Sequence, residues 1–329
     1  MTGTGPIVEC IPNVSEGRDQ KSIADMATAI QSVEGVKLLH TDVGYGANRT
    51  VFTFAGPPAA TLEAAFRLFI LAAERIDMRR HQGAHPRIGA VDVCPFVPIR
   101  NYSLADCAAL ARQLGQKVWD RLGIPVYLYE AAASAAYRRN LADLRKGEYE
   151  GLSAKMQQPK WRVDFGTDTW NAKTGTSVVG ARPFLIAWNI NLASKAIDKA
   201  KEIAGLLREK GQLIKQPDGT LIRRPGLFPG LKAIGWFIEE YGRCQVSMNV
   251  VRPNQVSLLQ VYSTCRRLGY ERGVHVTGSE LIGLIPEQYL IQAGNGLPRE
   301  LALDQAVKQL GLDDLKPFDW RKKVLEELL

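Results

Sequence analysis

Two of the four histidines in this chain are the residues best suited to acid–base chemistry. His81 and His85 lie in the segment Arg79-Arg-His-Gln-Gly-Ala-His-Pro-Arg-Ile-Gly89, which also contains three arginines. Because an imidazole titrates near neutral pH, either ring is able to take up a proton and return it. Neighbouring guanidinium groups lower the pKa of an imidazole and bind anions, so the segment is suited to proton transfer on an anionic substrate.

Two other interpretations of the histidine pair stay open. Its i, i+4 spacing matches that of zinc-binding helices, but the glutamate of the HExxH motif is missing, Pro86 opposes a helix and the arginines repel a metal ion. We therefore expect no metal. The second alternative is structural, with both rings hydrogen-bonded within a turn.

An acid–base histidine needs a carboxylate that orients its ring, and Asp42 is the candidate. It stands near the end of a predicted strand, before the turn Gly44-Tyr-Gly46, and Asn48 and Arg49 lead into the next strand. If these strands are neighbours, their ends converge on one site. The alternative is a hairpin turn in which the Asp and Asn side chains cap backbone amides.

The elements that must position these residues follow the same order twice. Hydrophobic periodicity and β-propensity predict, in the first half, strands over 7–12, 36–39, 50–54 and 90–94 and helices over 22–33 and 61–76. A helix over 104–122 and a strand over 126–129 follow. The second half has predicted strands at 184–192, 233–238, 245–250 and 274–276, with helices at 195–210 and 255–268. Both halves read β-α-β-β-α-β, the ferredoxin-like order. We expect an α/β (α+β) protein with mixed sheets and two subdomains, 1–180 and 181–329.

Two irregular stretches interrupt this order. Residues 157–180 are rich in glycine but contain the large aromatics Trp161, Phe165 and Trp170, which favour a functional loop over a plain linker. Residues 215–230 are predicted to form a solvated excursion or a basic rim.

Composition limits the kinds of partner. With 42 Lys and Arg against 34 Asp and Glu, the net charge is +8, which suits anionic ligands. No apolar run is long enough to cross a membrane, and the N-terminal residues lack the pattern of a signal peptide. The five cysteines are scattered without a CxxC pair, so we expect a reducing, cytoplasmic environment. An RNA-binding module is an alternative, but no RNP1-like segment is present, and we expect no nucleic acid.

Nine blocks taken together resemble the formiminotransferase domain family over essentially the whole chain. They are Val8-Glu-Cys-Ile-Pro-Asn-Val-Ser-Glu-Gly17, Asn48-Arg-Thr-Val-Phe-Thr-Phe54, His81-Gln-Gly-Ala-His-Pro-Arg-Ile-Gly89-Ala-Val-Asp-Val-Cys-Pro-Phe96, Pro125-Val-Tyr-Leu-Tyr129, Asp164-Phe-Gly166, Gly180-Ala-Arg182, Phe184-Leu-Ile-Ala-Trp-Asn-Ile-Asn-Leu192, Gly235-Trp236 and Gly278-Ser-Glu-Leu-Ile-Gly-Leu-Ile-Pro286.

The resemblance implies transfer of a formimino group from N-formimino-L-glutamate to N5 of tetrahydrofolate, which acts as co-substrate. It implies two α/β subdomains flanking a tunnel, a homodimer, and folate polyglutamates among the ligands. It places the catalytic histidine at His85 and its acidic partner at Asp42. The folate-contacting loop falls on Gly166, Thr167, Asp168, Thr169, Trp170, Asn171, Ala172, Lys173, Thr174 and Gly175. Bifunctional relatives carry a cyclodeaminase domain, and since this chain ends at Leu329 we expect that activity to be absent or on a separate protein.

The remaining roles combine the resemblance with the chemistry of the residues. We expect Arg49 and Arg87 to bind substrate carboxylates, with Asn48 beside them. Trp170 or Phe165 is suited to stacking on the aromatic rings of folate. His40 and Ala84 stand where relatives often have acidic residues. Since His85 and Asp42 are both present, we expect the same class of reaction, and the departures bear on how the substrate is bound. A folate-binding relative that acts on 5-formyl-tetrahydrofolate is the alternative function.

Overall fold

The chain divides into two compact units in a computed structural model that describes residues 5–167 and 169–329. One unit is Met1–Pro183 together with Leu329, and the other is Phe184–Leu328. Each unit is built around a β-sheet with helices packed on it.

The first unit contains seven strands and five α-helices in its described part. In chain order they are β1 Ile7–Cys10, β2 Asn13–Val14, α1 Gln20–Gln31, β3 Lys37–Gly44, β4 Arg49–Gly56, α2 Pro58–Arg75, β5 Val91–Arg100, α3 Leu104–Leu122, β6 Val126–Glu130, α4 Leu141–Arg145, α5 Leu152–Met156 and β7 Ser177–Ala181. Short 3-10 turns lie at Ala136–Arg138 and Pro159–Trp161.

The sheet of this unit has the ferredoxin-like order predicted from the sequence, with two added strands. β1 and β2 are pieces of one strand, interrupted next to Pro12, which has no N–H to donate to a neighbour. Together they lie between β4 and β5, and β3 pairs with the other side of β4, all antiparallel. β7 and β6 extend the sheet beyond β5 in parallel.

The two faces of this sheet differ in character. Alternate residues such as Cys10, Phe52 and Phe54 point into an apolar core with α1, α2 and α3, whose stripes of buried residues have helical spacing. The opposite face carries Asn13 and Arg49, joined by a hydrogen bond of 3.1 Å. Arg49, which was singled out in the sequence, therefore lies on the face that these three helices leave uncovered.

The second unit repeats the order on a smaller sheet. Its elements are β8 Ile186–Leu192, α6 Ile197–Leu207, β9 Gln212–Lys215, β10 Leu221–Arg224, β11 Leu231–Ile238, β12 Arg243–Val250, α7 Leu258–Tyr270, β13 Val276–Ile282, α8 Glu287–Ala293, α9 Arg299–Leu310 and α10 Leu325–Leu328. The antiparallel sheet has the order β11-β12-β8-β13, and Trp188, Ile190 and Leu192 of β8 point into its helix-covered core.

Several elements were not predicted. The stretch 215–230 was expected to be irregular, but its first part belongs to a hairpin. In this hairpin β10 pairs with β9 around a turn at Gly219. Four of the five residues of β7 lie inside the predicted loop 157–180; the strand is fully buried and shows no alternation of polar and apolar residues. The helices α8, α9 and α10 also went unpredicted. None of the helices in the described part of the chain is both long and apolar enough to cross a bilayer.

Glu9 is a buried carboxyl group on the sheet of the first unit. It is fully inaccessible, and its register neighbours on β4 and β5 are Ala55 and Val97, which have no polar side-chain atoms. Among the residues the structure describes, neither of its carboxylate oxygens has a hydrogen-bond partner. Burial raises the pKa of Glu9 from 4.5 to about 7, against the opposing charge of Arg182.

We expect Glu9→Gln to raise the free energy of unfolding at pH 8 by about 3 kcal/mol, because ionising this carboxyl group opposes folding. As pH rises from 4.5 to 7, the folded protein keeps the proton that the unfolded chain loses, so wild-type stability falls over this range. Urea unfolding at pH 5 and pH 8 measures the difference. Glu34→Gln, at an exposed glutamate of the same unit, is the control. An unchanged pH dependence in Glu9→Gln would contradict the prediction.

Candidate active site

His85 lies in the segment that joins α2 to β5, and its ring is mostly buried. Its Nδ1 lies 2.8 Å from the carbonyl oxygen of Pro86. Since a carbonyl oxygen only accepts, Nδ1 donates its proton to this bond and the lone pair of the neutral ring is on Nε2. Burial, followed by the charges of Arg49 and Arg145, holds the pKa of His85 well below 6.5. The ring is therefore neutral at pH 7, in the form that accepts a proton.

A buried carboxylate, Asp92 of β5, organises the charges around this histidine. It accepts hydrogen bonds from Nη1 of Arg49 at 2.6 Å and from the backbone N–H of Ile88 at 3.0 Å. Arg145 adds two more, from Nη2 and, at 3.3 Å, from Nε. Burial alone raises the pKa of Asp92, but the charges of Arg145 and Arg49 outweigh burial and lower it to about 2. One anion and two cations leave this group with a net charge of +1.

Sequence reasoning missed both Asp92 and Arg145. A signal existed for Asp92, which stands between Val91 and Val93 in an apolar strand, because a buried charge must be paired. Arg145 ends a five-residue helix in a stretch with no strong periodicity, so nothing in the sequence connected it with β5.

Asn48 joins the turn after β3 to the histidine segment. Its backbone has a φ of +46°, a left-handed conformation that asparagine tolerates. Its side chain accepts from the backbone N–H of Gly17 and donates to the carbonyl of Gln82, both at 2.9 Å. Nε2 of His81 donates to the backbone carbonyl of Asn48 at 2.9 Å. Asn48 and His81 are thus hydrogen-bonded to each other, and the Asn48 side chain is also hydrogen-bonded to the segment that contains His85.

Arg87 is buried, and its guanidinium group is already paired. It donates to both oxygens of Glu150, at 2.8 and 2.6 Å, and to Glu148 at 3.2 Å. Its Nε donates to Nδ1 of His81 at 3.2 Å. Both ring nitrogens of His81 therefore have protein partners. Among the described residues, no group of three or more His, Cys, Asp or Glu side chains is arranged to hold a metal ion.

Asp42 lies on β3, opposite Val51 of β4. Its carboxylate is 3.6 Å from Nε2 of His40. His40, which stands where relatives often have an acidic residue, is therefore close to Asp42, the predicted acidic partner of His85. Both side chains are largely buried. The predicted role of Asp42 in orienting His85 stays a prediction.

The predicted folate loop, 166–175, is anchored at its C-terminal end. The side chain of Asn171 accepts from the backbone N–H groups of Lys173 and Thr174, both at 3.1 Å. The backbone carbonyl of Lys173 accepts from Met78 N–H, and that of Thr174 from Ala90 N–H, both at 2.8 Å. Asp168 lies outside the described residues, and Thr167 and Thr169 are exposed. The loop therefore lies against both ends of the histidine segment.

Tyr149 connects the same two segments from the stretch between α4 and α5. Its backbone N–H donates to the carbonyl of Arg87 at 2.9 Å, and its hydroxyl donates to the carbonyl of Ala172 at 2.6 Å. Its ring packs on Trp170 with centroids 4.9 Å apart. The structure thus brings the histidine segment, Arg49 and the loop 166–175 into one region of the first unit.

A neutral imidazole beside a cationic, carboxylate-anchored group combines a proton acceptor with a binding place for anions. Two sequence models of one known family match the chain. "Formiminotransferase domain, N-terminal subdomain" matches residues 7–182, and "Formiminotransferase domain" matches residues 187–329. The chain belongs to the formiminotransferase domain family.

Individual relatives agree with this assignment. The chain is 39% identical to the glutamate formimidoyltransferase of Streptococcus pyogenes serotype M1, with 98% of both chains covered. It is 39% identical to the protein of the same name from Thermoplasma acidophilum, over 87% of this chain and 90% of that one. It is also 40% identical to the formimidoyltransferase-cyclodeaminase of Rattus norvegicus, over 98% of this chain. The chain spans about three fifths of the length of the bifunctional relatives it matches.

We expect Asp92→Asn to lower the free energy of unfolding by about 3–5 kcal/mol, because it leaves Arg49 and Arg145 buried without their anion. Urea unfolding at pH 7 measures this loss. Asp120→Asn, at an exposed residue of α3, is the matched control and should stay within about 0.5 kcal/mol of wild type. Equal stability of the two variants would show that Asp92 does not hold the cluster together.

Proposed function

We propose that this protein transfers the formimino group of N-formimino-L-glutamate to N5 of tetrahydrofolate, giving 5-formimino-tetrahydrofolate and L-glutamate. The observation that carries the proposal is the neutral His85 beside the Arg49–Asp92–Arg145 group, in a chain that is 39% identical to two proteins named glutamate formimidoyltransferase. Tetrahydrofolate is the co-substrate, and no step requires a metal ion.

The reaction exchanges one carbon–nitrogen bond for another. N5 of tetrahydrofolate attacks the amidine carbon, and the new bond makes N5 acidic. The bond from that carbon to the glutamate nitrogen then breaks. The proton that leaves N5 must finally reside on the departing amine. One base that accepts the first proton and returns it to the leaving nitrogen satisfies both needs.

His85 is that base in our proposal. The hydrogen bond from its Nδ1 to the Pro86 carbonyl fixes the tautomer, so Nε2 is the nitrogen that exchanges the proton. Its lowered pKa keeps the ring neutral before the reaction, and a more acidic imidazolium returns the proton readily to the amine. Asp42 orients the ring or stabilises the cationic tetrahedral intermediate.

The substrate carboxylates bind to the cationic groups in the same region. We assign Arg49, Arg87 and Asn48 to this role. Arg87 is held by Glu150, whose side chain is 65% exposed, so a substrate carboxylate from solvent is able to replace this partner. The loop 166–175 is assigned to folate, with Trp170 suited to stacking on its rings.

Further expectations belong to the same proposal. A net charge of +8 favours binding of folate polyglutamates, which are polyanions. The family resemblance supports a homodimer, a cytoplasmic location and histidine degradation as the physiological context.

We expect His85→Ala to lower kcat by about 10²–10⁴-fold, because the variant has no base to move the proton between the two nitrogens. The measurement is formation of 5-formimino-tetrahydrofolate followed by absorbance, with tetrahydrofolate binding followed by calorimetry. His275→Ala, at an exposed histidine of the second unit, is the control. Full turnover by His85→Ala, or none by wild type, would reject the mechanism or the function respectively. Folate binding without formimino transfer would favour chemistry on 5-formyl-tetrahydrofolate.

The pH profile tests the same base independently. Because the pKa of His85 lies well below 6.5, its ring stays neutral as pH falls from 8 to 6.5. Protonation of His85 should therefore cause no decrease in kcat/KM over this range. Activity declines only at lower pH, when the imidazole gains a proton. An acidic limb with its midpoint above 6.5 would assign the base to another group.

A further inference from the structure

Arg145 uses only one side of its guanidinium group to hold Asp92. The residue ends α4, and its Nε and Nη2 both donate to the carboxylate of Asp92. Nε and Nη2 form one edge of the planar group, so this contact is a side-on fork. The pairing fixes the plane and the direction of the guanidinium.

The remaining donors of Arg145 have no partner among the residues that the structure describes. Within residues 5–167 and 169–329, Nη1 makes no hydrogen bond, and neither does the second N–H of Nη2. These two nitrogens form the end-on edge of the guanidinium, which presents two parallel N–H bonds. A carboxylate matches this geometry with both of its oxygens.

Charge and access favour the same edge. Asp92 neutralises one of its two arginines, and the excess positive charge has no counter-ion within the group. The Arg145 side chain is 14% exposed against 8% for Arg49, which is also held by Asn13. Arg87 differs from both because it is paired with two glutamates. Of these three arginines, Arg145 is therefore the one best able to accept an external anion.

Arg145 and His85 belong to the same region of the first unit. The segment that carries His85 is linked to the carboxylate that holds Arg145, since the backbone N–H of Ile88, three residues after His85, donates to Asp92. The charge of Arg145 also contributes to the lowered pKa of His85. A ligand held by Arg145 is thus bound in the same region as the ring that we assign to proton transfer.

We propose that the Nη1–Nη2 edge of Arg145 binds a carboxylate of a glutamate moiety, with Asp92 holding the guanidinium in place. This inference rests on the proposed function, in which N-formimino-L-glutamate and the tail of tetrahydrofolate both carry such carboxylates. In either case the group bound is a carboxylate of glutamate. Separate KM values for the two substrates show which of them carries the bound carboxylate.

The test compares Arg145→Gln and Arg145→Lys with wild type and with Arg139→Gln, a control at an exposed arginine of the same unit. We expect Arg145→Gln to raise the KM of one substrate by about 10- to 100-fold while the KM of the other stays within about twofold. Arg145→Lys keeps the charge but not the fork, so it should recover part of the loss. Thermal unfolding of each variant reports whether the fold is retained.

Truncated substrates separate binding from a structural role. The α-amide and γ-amide of N-formimino-L-glutamate each lack one carboxylate, and tetrahydropteroate lacks the glutamate of folate. If Arg145 binds the missing group, the truncated compound is as poor a substrate for wild type as for Arg145→Gln. A purely structural effect instead weakens complete and truncated substrates equally.

The outcomes are distinct. Unchanged KM values for both substrates, or equal losses for complete and truncated compounds, would overturn the role of Arg145 and leave the proposed function standing. No turnover by the wild-type protein would overturn both. A selective loss that disappears with one truncated compound supports the inference and identifies the carboxylate.

Discussion

The pairing of buried Asp92 with two arginines is the interaction on which the candidate site depends. It connects β5 to Arg49 of β4, to Arg145 of α4 and to the backbone of Ile88 in the histidine segment. Without the carboxylate, two largely buried guanidinium groups would lie close together and repel each other. With it, they stay close together at a net charge of +1, which helps to keep His85 neutral. The same contact therefore serves the packing of the fold and the electrostatics of the site.

Close approach of backbones sets the position of the loops around this group. A Cβ at Gly89 would lie 2.3 Å from the carbonyl oxygen of Thr176, and a Cβ at Gly175 would lie 2.2 Å from that of Ile88. Gly175 also has a φ of +67°, which favours glycine. The histidine segment and the loop 166–175 thus meet through main chain rather than through adaptable side chains. A change at either glycine would displace both segments together.

The sequence predicted the parts of this arrangement that depend on local periodicity. The helix over 104–122 was predicted with the bounds found, and the β-α-β-β-α-β order is present in both units. β7 was missed because a strand buried on both faces shows no period of two. Residue type and spacing pointed to the pair His81 and His85, and the family resemblance selected His85. The contact of Arg145 with Asp92, by contrast, joins residues 53 positions apart. Only the folded chain reveals such a contact, because neither segment carries a pattern that refers to the other.

The charges of the site also define how a formiminoglutamate molecule would lie in the proposed reaction. Its amidine is a cation at neutral pH, while its two carboxylates are anions. The Arg49–Asp92–Arg145 group repels the first and attracts the second, so the carboxylates approach the guanidinium groups and the amidine lies away from them. Asp42, on β3, is a carboxylate suited to meet that cation. A neutral His85 adds no charge that would oppose the amidine. A protonated ring would both repel the substrate and lack the lone pair that the reaction needs. In the proposed reaction, the lowered pKa of His85 therefore serves both substrate binding and proton transfer.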